Sequence, residues 1–419
     1  MPYNIVVNSR CNLSCKYCFA KEILLNKDCI SLDNINYIVA FLKNSEKKVV
    51  SLMGGEPTLH PQIISIIEIF RSEGFIISLK SNGLWDIKIK EYFSSLPENE
   101  FFILLNLNPP STYTPKEIET LNNNLHHVRN QKLVLSINID KTNFEYDYIL
   151  KYATETNAKY IRWSFAHPIF EKTKKQISQT YFPITQYKSV SDRVVEFIKK
   201  ANHLGIMTLG DHSVIRCMFN EKQYHEIIEN NGEFNSKCEG SIDIFPDLQV
   251  IYCLPMYSLF EKHYLNEFEN MDMLEMFFES RVNMLRKREL PFKECYECVY
   301  HLRNECHGGC LSHRIFSAEL LDEFHMNWNY NNIKDKTIFI PSNVILVQKD
   351  EQSFVISDDF KIVVSDFVFD FLSKIKDTNS IDKAISEIDI DFNLYKNEID
   401  ELIANCQNYK ILEISDDEY

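Results

Sequence analysis

Short apolar runs alternate with amphipathic segments over the first half of the chain. The apolar runs predict buried strands, because each is short and ends at a polar or glycine-containing turn. These predicted strands cover residues 3–7, 49–53, 75–80, 101–107, 133–139 and 160–165. Between them, apolar residues recur at helical spacing near residues 32–43, 62–71, 116–125 and 145–156, and a longer helix is predicted near 187–204. This alternation predicts an α/β fold of parallel strands joined by right-handed crossovers.

Residues 338–419 show a different pattern. Three short strands are predicted at 344–348, 353–356 and 360–364, followed by helical patterns around 367–375, 381–388 and 394–406, and the segment 409–414 is expected to close the unit. Residues 331–419 contain nine Lys and no Arg against nineteen Asp and Glu, a net charge of −10. The order of elements and the charge together predict a separate α+β domain of winged-helix type.

Composition narrows the class of protein. The chain has 419 residues, of which 45% are hydrophobic, and this length predicts two or three domains. No apolar run reaches the ~20 residues of a membrane span, and the first residues show no secretory signal. Twelve cysteines in such a chain therefore indicate metal binding in a reducing cytoplasm. A net charge of −15 argues against nucleic-acid binding.

The most informative motif is a cysteine triplet directly after the first strand. Cys11, Cys15 and Cys18 have CxxxCxxC spacing. Three thiolates on one loop can hold a [4Fe–4S] cluster and leave one iron open for a small molecule. Half of a zinc site is the alternative, but a zinc knuckle needs a second ligand pair nearby, and only Cys29 follows within thirty residues.

The second strand ends in Gly54-Gly55-Glu56-Pro57, one helix and one strand after the triplet. Strand, cysteine loop, helix, strand and GGEP in this order resemble the radical SAM superfamily. The resemblance implies a partial (β/α)6 TIM-like barrel that binds S-adenosylmethionine (SAM). It further implies that the cysteines hold the cluster and that the GGE segment receives the methionine amino group. Tyr17 matches the aromatic residue that precedes the last cysteine, and Asn82 the polar position after the third strand.

Polar side chains occur in pairs at the ends of the later strands. Asn106 and Asn108, Ser136 and Asn138, and Arg162 and Ser164 each share a strand face by the period-two rule. As a set they resemble the lining that binds the ribose and carboxylate of SAM; singly, such residues can equally face solvent. The residues predicted to bind SAM are Tyr17, Gly54, Gly55, Glu56, Asn82, Asn106, Asn138, Arg162 and Ser164. No catalytic acid or base is assigned.

A second set of cysteines follows the barrel segment. These are Cys217, Cys238, Cys253, Cys295, Cys298, Cys306 and Cys310. The run 306–310, Cys-His-Gly-Gly-Cys, and the Phe-Pro-Asp run at 245–247 resemble the SPASM extension of peptide-modifying radical SAM enzymes. That extension carries auxiliary [4Fe–4S] clusters. Two departures stand out, Leu248 in place of glycine and a seven-residue gap between Cys298 and Cys306.

One or two auxiliary clusters are therefore expected. Cys217, Cys238, Cys253 and Cys310 can fill one cluster and leave Cys295, Cys298 and Cys306 for a second. The second would then have an open iron or a fourth ligand among His301, His307, His313 and Asp322. A zinc ribbon of Cys295, Cys298, Cys306 and Cys310 is the alternative. Cys29 and Cys406 are expected to be ordinary buried thiols.

The C-terminal pattern resembles the PqqD-like recognition domain of ribosomal peptide maturases. The predicted domains are a radical SAM barrel at 1–205, a SPASM-like domain at 206–330 and a PqqD-like domain at 338–419. Together they imply an oxidoreductase that binds the leader of a precursor peptide and oxidatively crosslinks its core. An electron donor such as flavodoxin or ferredoxin is implied as a partner. The alternatives are a radical SAM maturase or epimerase acting on another protein or peptide, and a non-enzymatic, metal-dependent winged-helix regulator.

Overall fold

The structure is a computed structural model. It describes residues 3–18, 20, 29–128, 132–168, 170–171, 176–177, 181–212, 214–257, 262–288, 290–315, 335, 337–349, 352–357, 361–388, 399–400, 402–403, 406 and 411–414. The chain divides into two compact units, Met1–Ser317 and Ala318–Tyr419. The predicted boundary near residue 205 lies inside the first unit and stays a prediction.

The first unit is built on six parallel strands. They are β1 (Tyr3–Asn8), β2 (Val49–Gly54), β3 (Ile76–Ser81), β4 (Phe101–Asn106), β5 (Lys132–Ile139) and β6 (Tyr160–Phe165). Each pairs in parallel with the next along the chain. The intervening helices are α1 (Leu32–Leu42), α2 (Ile63–Ser72), α3 (Ile87–Ser95), α4 (Pro115–Val128) and α5 (Asp147–Thr156). The predicted α/β architecture of a partial barrel is confirmed.

Local sequence explains where these helices begin and which face they bury. The Ser31 side chain accepts a hydrogen bond from the backbone N–H of Asn34 at 3.1 Å and so caps α1. The buried residues of α1 recur at helical spacing, at Ile35, Ile38 and Leu42. A helix with one apolar face of this kind packs that face inward and leaves its polar side in water.

The chain beyond β6 extends this sheet at both edges. It contains the hairpin β7 (Phe170–Glu171) and β8 (Gln176–Ile177), then β9 (Met207–Gly210), β10 (Gly232–Phe234), β11 (Ile242–Ile244), β12 (Gln249–Tyr252) and β13 (His263–Tyr264). The strand order is β10-β9-β6-β5-β4-β3-β2-β1-β11-β12-β13. The segment after residue 205 therefore continues the barrel sheet from β6 on one side and from β1 on the other.

Five helices accompany these later strands. They are α6 (Ser191–His203), α7 (Glu221–Glu229), α8 (Met271–Arg288), α9 (Val299–Leu302) and α10 (Leu311–Ile315). The long helix predicted at 187–204 is α6, preceded by a 3-10 turn at Ile184–Val190. Over the described ranges, no helix combines the length and apolar character needed to cross a bilayer.

A row of buried polar residues crosses four neighbouring strands of the sheet. Asp243 on β11 is in register with Asn4 on β1, Asn4 with Ser51 on β2, and Ser51 with Ser78 on β3. All four are 5% exposed or less. Residues in register point to the same face of a sheet, so this face is polar although it is buried.

The second unit has its own sheet and its own core. β15 (Ile345–Lys349), β16 (Gln352–Ile356) and β17 (Lys361–Val364) form an antiparallel sheet, while β14 (Ile338–Phe339) pairs with β18 (Glu413–Ile414). Helices α11 (Asp366–Thr378) and α12 (Ile381–Ser386) follow the sheet. The predicted order of three strands and then helices is present. Most of the helix predicted at 394–406 lies outside the described residues.

Candidate metal and cofactor site

Two glycines at the end of β2 let the cysteine loop cross that strand in direct contact. A Cβ atom on Gly54 would lie 2.1 Å from the carbonyl oxygen of Asn8, and one on Gly55 2.1 Å from that of Arg10. Backbone hydrogen bonds close the contact, from Gly55 N to Asn8 O at 3.0 Å and from Glu56 N to Arg10 O at 2.7 Å. Only glycine allows this approach, so the Gly-Gly pair fixes where the loop begins.

The carboxylate of Glu56 lies in the interior beside this contact. It accepts hydrogen bonds from Thr58 N (3.2 Å), Thr58 Oγ1 (2.6 Å), Ser81 Oγ (2.9 Å) and Asn82 N (2.8 Å). Burial raises the pKa of this carboxyl, which is 1% exposed. None of the four donors carries a charge. A buried carboxylate with only neutral donors fits an additional cation such as the ammonium of SAM.

The three thiols of the loop differ in exposure and in neighbours. Cys11 is exposed, whereas Cys15 and Cys18 are half-buried. Leu13 N donates to the Sγ of Cys11 and Asn108 Nδ2 to the Sγ of Cys15, both at 3.4 Å. N–H donors to sulfur stabilise thiolates that ligate iron, so the surroundings of the loop fit a cluster.

A chain of side-chain hydrogen bonds runs along the carboxyl ends of β6, β5 and β4 to the cysteine loop. Ser164 Oγ donates to Asn138 Oδ1 at 2.9 Å, and Asn138 Nδ2 to Asn106 Oδ1 at 2.7 Å. Asn106 Nδ2 donates to the hydroxyl of Tyr17 at 3.2 Å, and that hydroxyl donates to Asn108. The structure thus brings together the predicted residues Tyr17, Asn106, Asn138 and Ser164.

Asn82 holds the cysteine loop from the end of β3. Its Nδ2 donates to Asn12 Oδ1 at 2.7 Å, and Asn12 Nδ2 donates to the carbonyl of Leu84 at 3.0 Å. Its backbone N–H is one of the donors to Glu56. Asn82 therefore links the carboxylate and the loop, although its side-chain amide is engaged by the chain itself.

Arg162 makes a separate set of contacts. Its Nε lies 2.5 Å from Asp211 Oδ2, and its Nη2 lies 2.5 Å from His212 Nε2. The structure therefore joins Arg162 to the segment after β9 and not to the chain of Asn138 and Ser164. No ligand role follows for Arg162 from this placement.

A half-buried lysine in the barrel was not singled out from the sequence. Lys80 Nζ donates to Asn4 Oδ1 at 2.9 Å, and Asn4 Nδ2 donates to Asp243 Oδ1 at 2.5 Å. Burial lowers the pKa of Lys80 to about 8 and raises the pKa of Asp243 to about 6. The period-two pattern that places Ser78 and Lys80 on one face of β3 was the signal available.

The structure divides the later cysteines differently from the sequence-based grouping. Cys217 lies on the 3-10 turn Arg216–Met218, and its thiol interacts electrostatically with Cys295, Cys298 and Cys306. The Arg216 guanidinium lies 5.3 Å from the ring centre of Tyr300, which brings this turn to α9. The proposed set of Cys217 with Cys238, Cys253 and Cys310 is therefore corrected. Spacing along the chain could not show that Cys217 folds against α9.

Cys238, Cys253 and Cys310 form a second, deeper group. The thiols of Cys238 and Cys310 share a hydrogen bond, and both interact electrostatically with Cys253. The guanidinium groups of Arg286 and Arg314, 8% and 1% exposed, both act on the Cys238 thiol. Buried cations beside buried thiols fit a negatively charged metal centre. The zinc ribbon that would include Cys310 with Cys295, Cys298 and Cys306 is disfavoured by this division.

The structure also sorts the non-cysteine ligand candidates. Both ring nitrogens of His307 are engaged, with Cys238 N at 3.0 Å and Asn304 Oδ1 at 2.9 Å. His301 Nδ1 lies 3.1 Å from the Cys306 carbonyl. His313 is buried, and its Nδ1 lies 3.3 Å from the hydroxyl of Tyr187. Asp322 lies outside the described residues.

The barrel segment matches a known protein family. The family model "Radical SAM superfamily" matches residues 5–161. An S-adenosylmethionine-dependent nucleotide dehydratase of Selenomonas ruminantium is 33% identical over 81 residues, which are 19% of this chain and 29% of that protein. The chain spans less than half the length of this and the other curated relatives compared.

Two solved structures resemble a larger part of the chain. Streptococcus suis SuiB bound to the precursor peptide SuiA aligns with a TM-score of 0.54 at 15% identity, over 76% of this chain and 73% of that one. The enzyme anSMEcpe with bound AdoMet and Cp18Cys peptide aligns with a TM-score of 0.53 at 16% identity, over 77% and 95%. At these identities the likeness is one of fold. Residues 5–161, with their CxxxCxxC loop clamped by Gly54 and Gly55, form a radical SAM domain.

Proposed function

We propose that the chain is a radical SAM enzyme that oxidatively crosslinks a ribosomally made precursor peptide. The observation that carries the first half is the contact between the cysteine loop and Gly54-Gly55, next to a buried carboxylate with neutral donors. The second half is supported by the fold shared with SuiB over 76% of the chain, since SuiB binds a precursor peptide.

Radical SAM domains use SAM and a [4Fe–4S] cluster. In this chain Cys11, Cys15 and Cys18 would hold the cluster, and Glu56 would accept the ammonium of SAM. When bound, cluster and SAM together supply a 5′-deoxyadenosyl radical that removes a hydrogen atom from the substrate. Tyr17 accepts a hydrogen bond from Asn106 and donates one to Asn108, which holds Asn108 where it donates to the Sγ of Cys15.

The interior of the barrel is suited to a polar backbone such as that of a peptide. The half-buried Lys80 and the buried Asn4 and Asp243 form a row that offers a cation, an amide and a carboxyl group. Arg162 and Asp211 form a half-buried ion pair. Charged and amide groups of both signs match the N–H and C=O groups of a peptide better than they match an apolar substrate.

Oxidative crosslinking leaves one electron to be removed after hydrogen abstraction. The two later cysteine groups, Cys217 with Cys295, Cys298 and Cys306, and Cys238 with Cys253 and Cys310, would hold auxiliary clusters that accept it. A flavodoxin or ferredoxin would supply the electron that starts each turnover. These assignments extend the SPASM resemblance and have the buried arginines beside Cys238 as their support.

The second unit would bind the leader of the precursor peptide. β17 is at the edge of the antiparallel sheet, and its Val363 side chain is 64% exposed. An exposed edge strand can take up an extended peptide by adding a strand. The net charge of −10 over residues 331–419 makes a nucleic acid a poor partner for this unit.

The proposal is tested with anaerobically reconstituted protein, SAM, a reductant and the peptide encoded by a short reading frame beside the gene. We expect 5′-deoxyadenosine and a peptide that has lost two hydrogen atoms per crosslink, with neither product from a Cys15→Ala variant. If 5′-deoxyadenosine forms while the peptide keeps its mass in ordinary water and gains deuterium in heavy water, the reaction is epimerisation and not crosslinking. No 5′-deoxyadenosine from protein loaded with iron would refute the enzyme assignment itself.

A further inference from the structure

The group of Cys238, Cys253 and Cys310, called the buried group although Cys253 is half-buried, has one ligand fewer than a fully ligated [4Fe–4S] cluster needs. All twelve cysteines of the chain are among the described residues. Three of them are in the first loop, and four form the group that contains Cys217. The two cysteines outside these three groups lie elsewhere. Cys29 forms a backbone β-bridge with Asn8 at the end of β1, and Cys406 lies in the core of the second unit. No cysteine is therefore left to complete the buried group.

A histidine from the barrel lies against this group. His167 follows β6 by two residues, is 3% exposed, and its Nδ1 is 3.7 Å from the Sγ of Cys310. Within the described residues, the ligand atoms of His167, Cys310 and His313 lie within 4.8 Å of one another. Imidazole nitrogen and thiolate sulfur are both ligands of iron in iron–sulfur proteins.

His307 and His313, the other histidines nearby, have different partners from His167, whose Nδ1 lies 3.7 Å from Cys310 Sγ and 3.4 Å from Ser312 Oγ. Both nitrogens of His307 are engaged, as described above. Nδ1 of His313 faces the hydroxyl of Tyr187, and His313 lies on α10, which begins directly after Cys310. His167 follows β6, a different part of the fold from α10, so it reaches Cys310 from the barrel side.

We propose that His167 is the fourth protein ligand of a [4Fe–4S] cluster held by Cys238, Cys253 and Cys310. The inference rests on the auxiliary-cluster assignment made under the proposed function. A neutral imidazole in place of a thiolate makes the cluster less negative, which raises its reduction potential. A cluster with four protein ligands has no open iron. The centre would therefore accept electrons and not bind the peptide directly.

His167 also lies close along the chain to residues that surround the first loop. His167 is three residues after Ser164, the first member of the hydrogen-bonded chain that ends at Cys15. One strand end thus contributes to both the first loop and the buried group.

The test uses full-length protein in which Cys11, Cys15 and Cys18 are changed to Ala, so that only the auxiliary centres carry clusters. The protein is produced with ¹⁴N- or ¹⁵N-labelled histidine, reduced without SAM and measured by pulsed electron paramagnetic resonance. We expect a histidine nitrogen coupling that is lost in His167→Cys, while the iron content is retained because a thiolate replaces the imidazole. The matched control His313→Asn should keep the coupling.

Three results would overturn the proposal. These are the absence of histidine coupling in the unmodified centre, its survival in His167→Cys, and stoichiometric zinc in place of iron. A redox titration adds a second readout, since His167→Cys should lower the potential of one auxiliary cluster and leave the other unchanged. Failure of the proposed enzymatic function is separate, because SAM cleavage is assayed on protein with an intact first loop and has no part in these measurements.

Discussion

The side-chain amide of Asn108 donates to the Sγ of Cys15 at 3.4 Å. Asn108 is two residues beyond the end of β4, is 6% exposed, and also accepts a hydrogen bond from Tyr17. A residue positioned by the barrel sheet therefore reaches a cysteine of the first loop. Hydrogen-bond donors to sulfur influence the reduction potential of a cluster that the sulfur ligates. A residue held by the sheet would therefore influence the reduction potential of a cluster on this loop.

Replacing Asn108 by Ala should make the reduction potential of the first-loop cluster more negative. The loss of one hydrogen bond of about 1.4 kcal/mol corresponds to about 60 mV in a one-electron couple. The measurement is a redox titration followed by electron paramagnetic resonance. Asn122→Ala, an exposed site on α4, is the control. An equal potential in both variants would show that Asn108 does not act on the cluster.

Gly55→Ala should destabilise the loop and lower the iron bound there. The new Cβ would lie 2.1 Å from the Arg10 carbonyl oxygen, and we expect a loss of about 1–3 kcal/mol in the free energy of unfolding. Gly74→Ala is the matched control, because its φ of +81° is strained for alanine but no atom lies within 4 Å of the new Cβ. That control should lose about 1 kcal/mol and keep its iron. Full iron loading of Gly55→Ala would show that the contact between Gly55 and Arg10 is not needed to hold the loop in place.

Cys217→Ser should remove the same cluster as Cys295→Ser. Each single change is expected to lower the iron content by about four atoms per chain, and the double change by no more, because the proposed arrangement assigns both residues to one [4Fe–4S] site. Combining Cys217→Ser with Cys238→Ser should remove about four further atoms. Cys29→Ser is the control and should bind iron normally. If the iron losses of Cys217→Ser and Cys295→Ser were additive, Cys217 would belong instead to the group of Cys238, Cys253 and Cys310.

Asp243→Asn should stabilise the metal-free protein at neutral pH but not in acid. Burial raises the pKa of Asp243 from 3.8 to about 6, so the folded state holds the proton more tightly than the unfolded state. As the pH rises from about 4 to about 6, the free energy of unfolding of the unchanged protein therefore falls, and it stays lower above about pH 6. The gain from Asn should grow over the same range by about 3 kcal/mol, measured by urea unfolding at several pH values. A pH-independent difference would refute the assignment.

Deletion of residues 338–419 should abolish binding of the leader peptide and leave uncoupled SAM cleavage. The second unit has its own buried core, which includes Phe371 and Ile375, so its removal should leave the barrel folded. Binding is measured by fluorescence anisotropy of a labelled leader, and SAM cleavage by 5′-deoxyadenosine formation. Unchanged affinity after deletion would assign leader binding to the first unit.

The local sequence was sufficient for the barrel strands and the first loop. Strand ends in the structure fall within one residue of the predicted ends for all six barrel strands, because each apolar run ends at a turn. Helix α3 had no such signal. It begins Ile-Lys-Ile-Lys, an alternation that favours a strand, and a hydrogen bond from Ile89 N to the Asp86 carboxylate at 3.0 Å starts a helix instead.

Contacts between distant parts of the chain could not be read from spacing. Cys217 and Cys295 are far apart in sequence and meet only because the turn at Arg216–Met218 packs near α9. His167 has no motif around it and lies beside Cys310 only in the folded chain. The sequence does not show that Lys80 lies near Asn4 and Asp243, because both residues are far from it along the chain.

The burial of the cysteines affects the order in which clusters are inserted into the protein. Cys11 is exposed, so a preformed cluster can reach the first loop after the barrel has folded. Cys238 and Cys310 are 8% and 5% exposed, and a cluster cannot enter that group without local unfolding. We therefore expect biogenesis to be ordered, with iron and sulfide delivered to the buried group during folding and to the first loop last. Protein produced under iron starvation should then be reloaded readily at one site and slowly at the other.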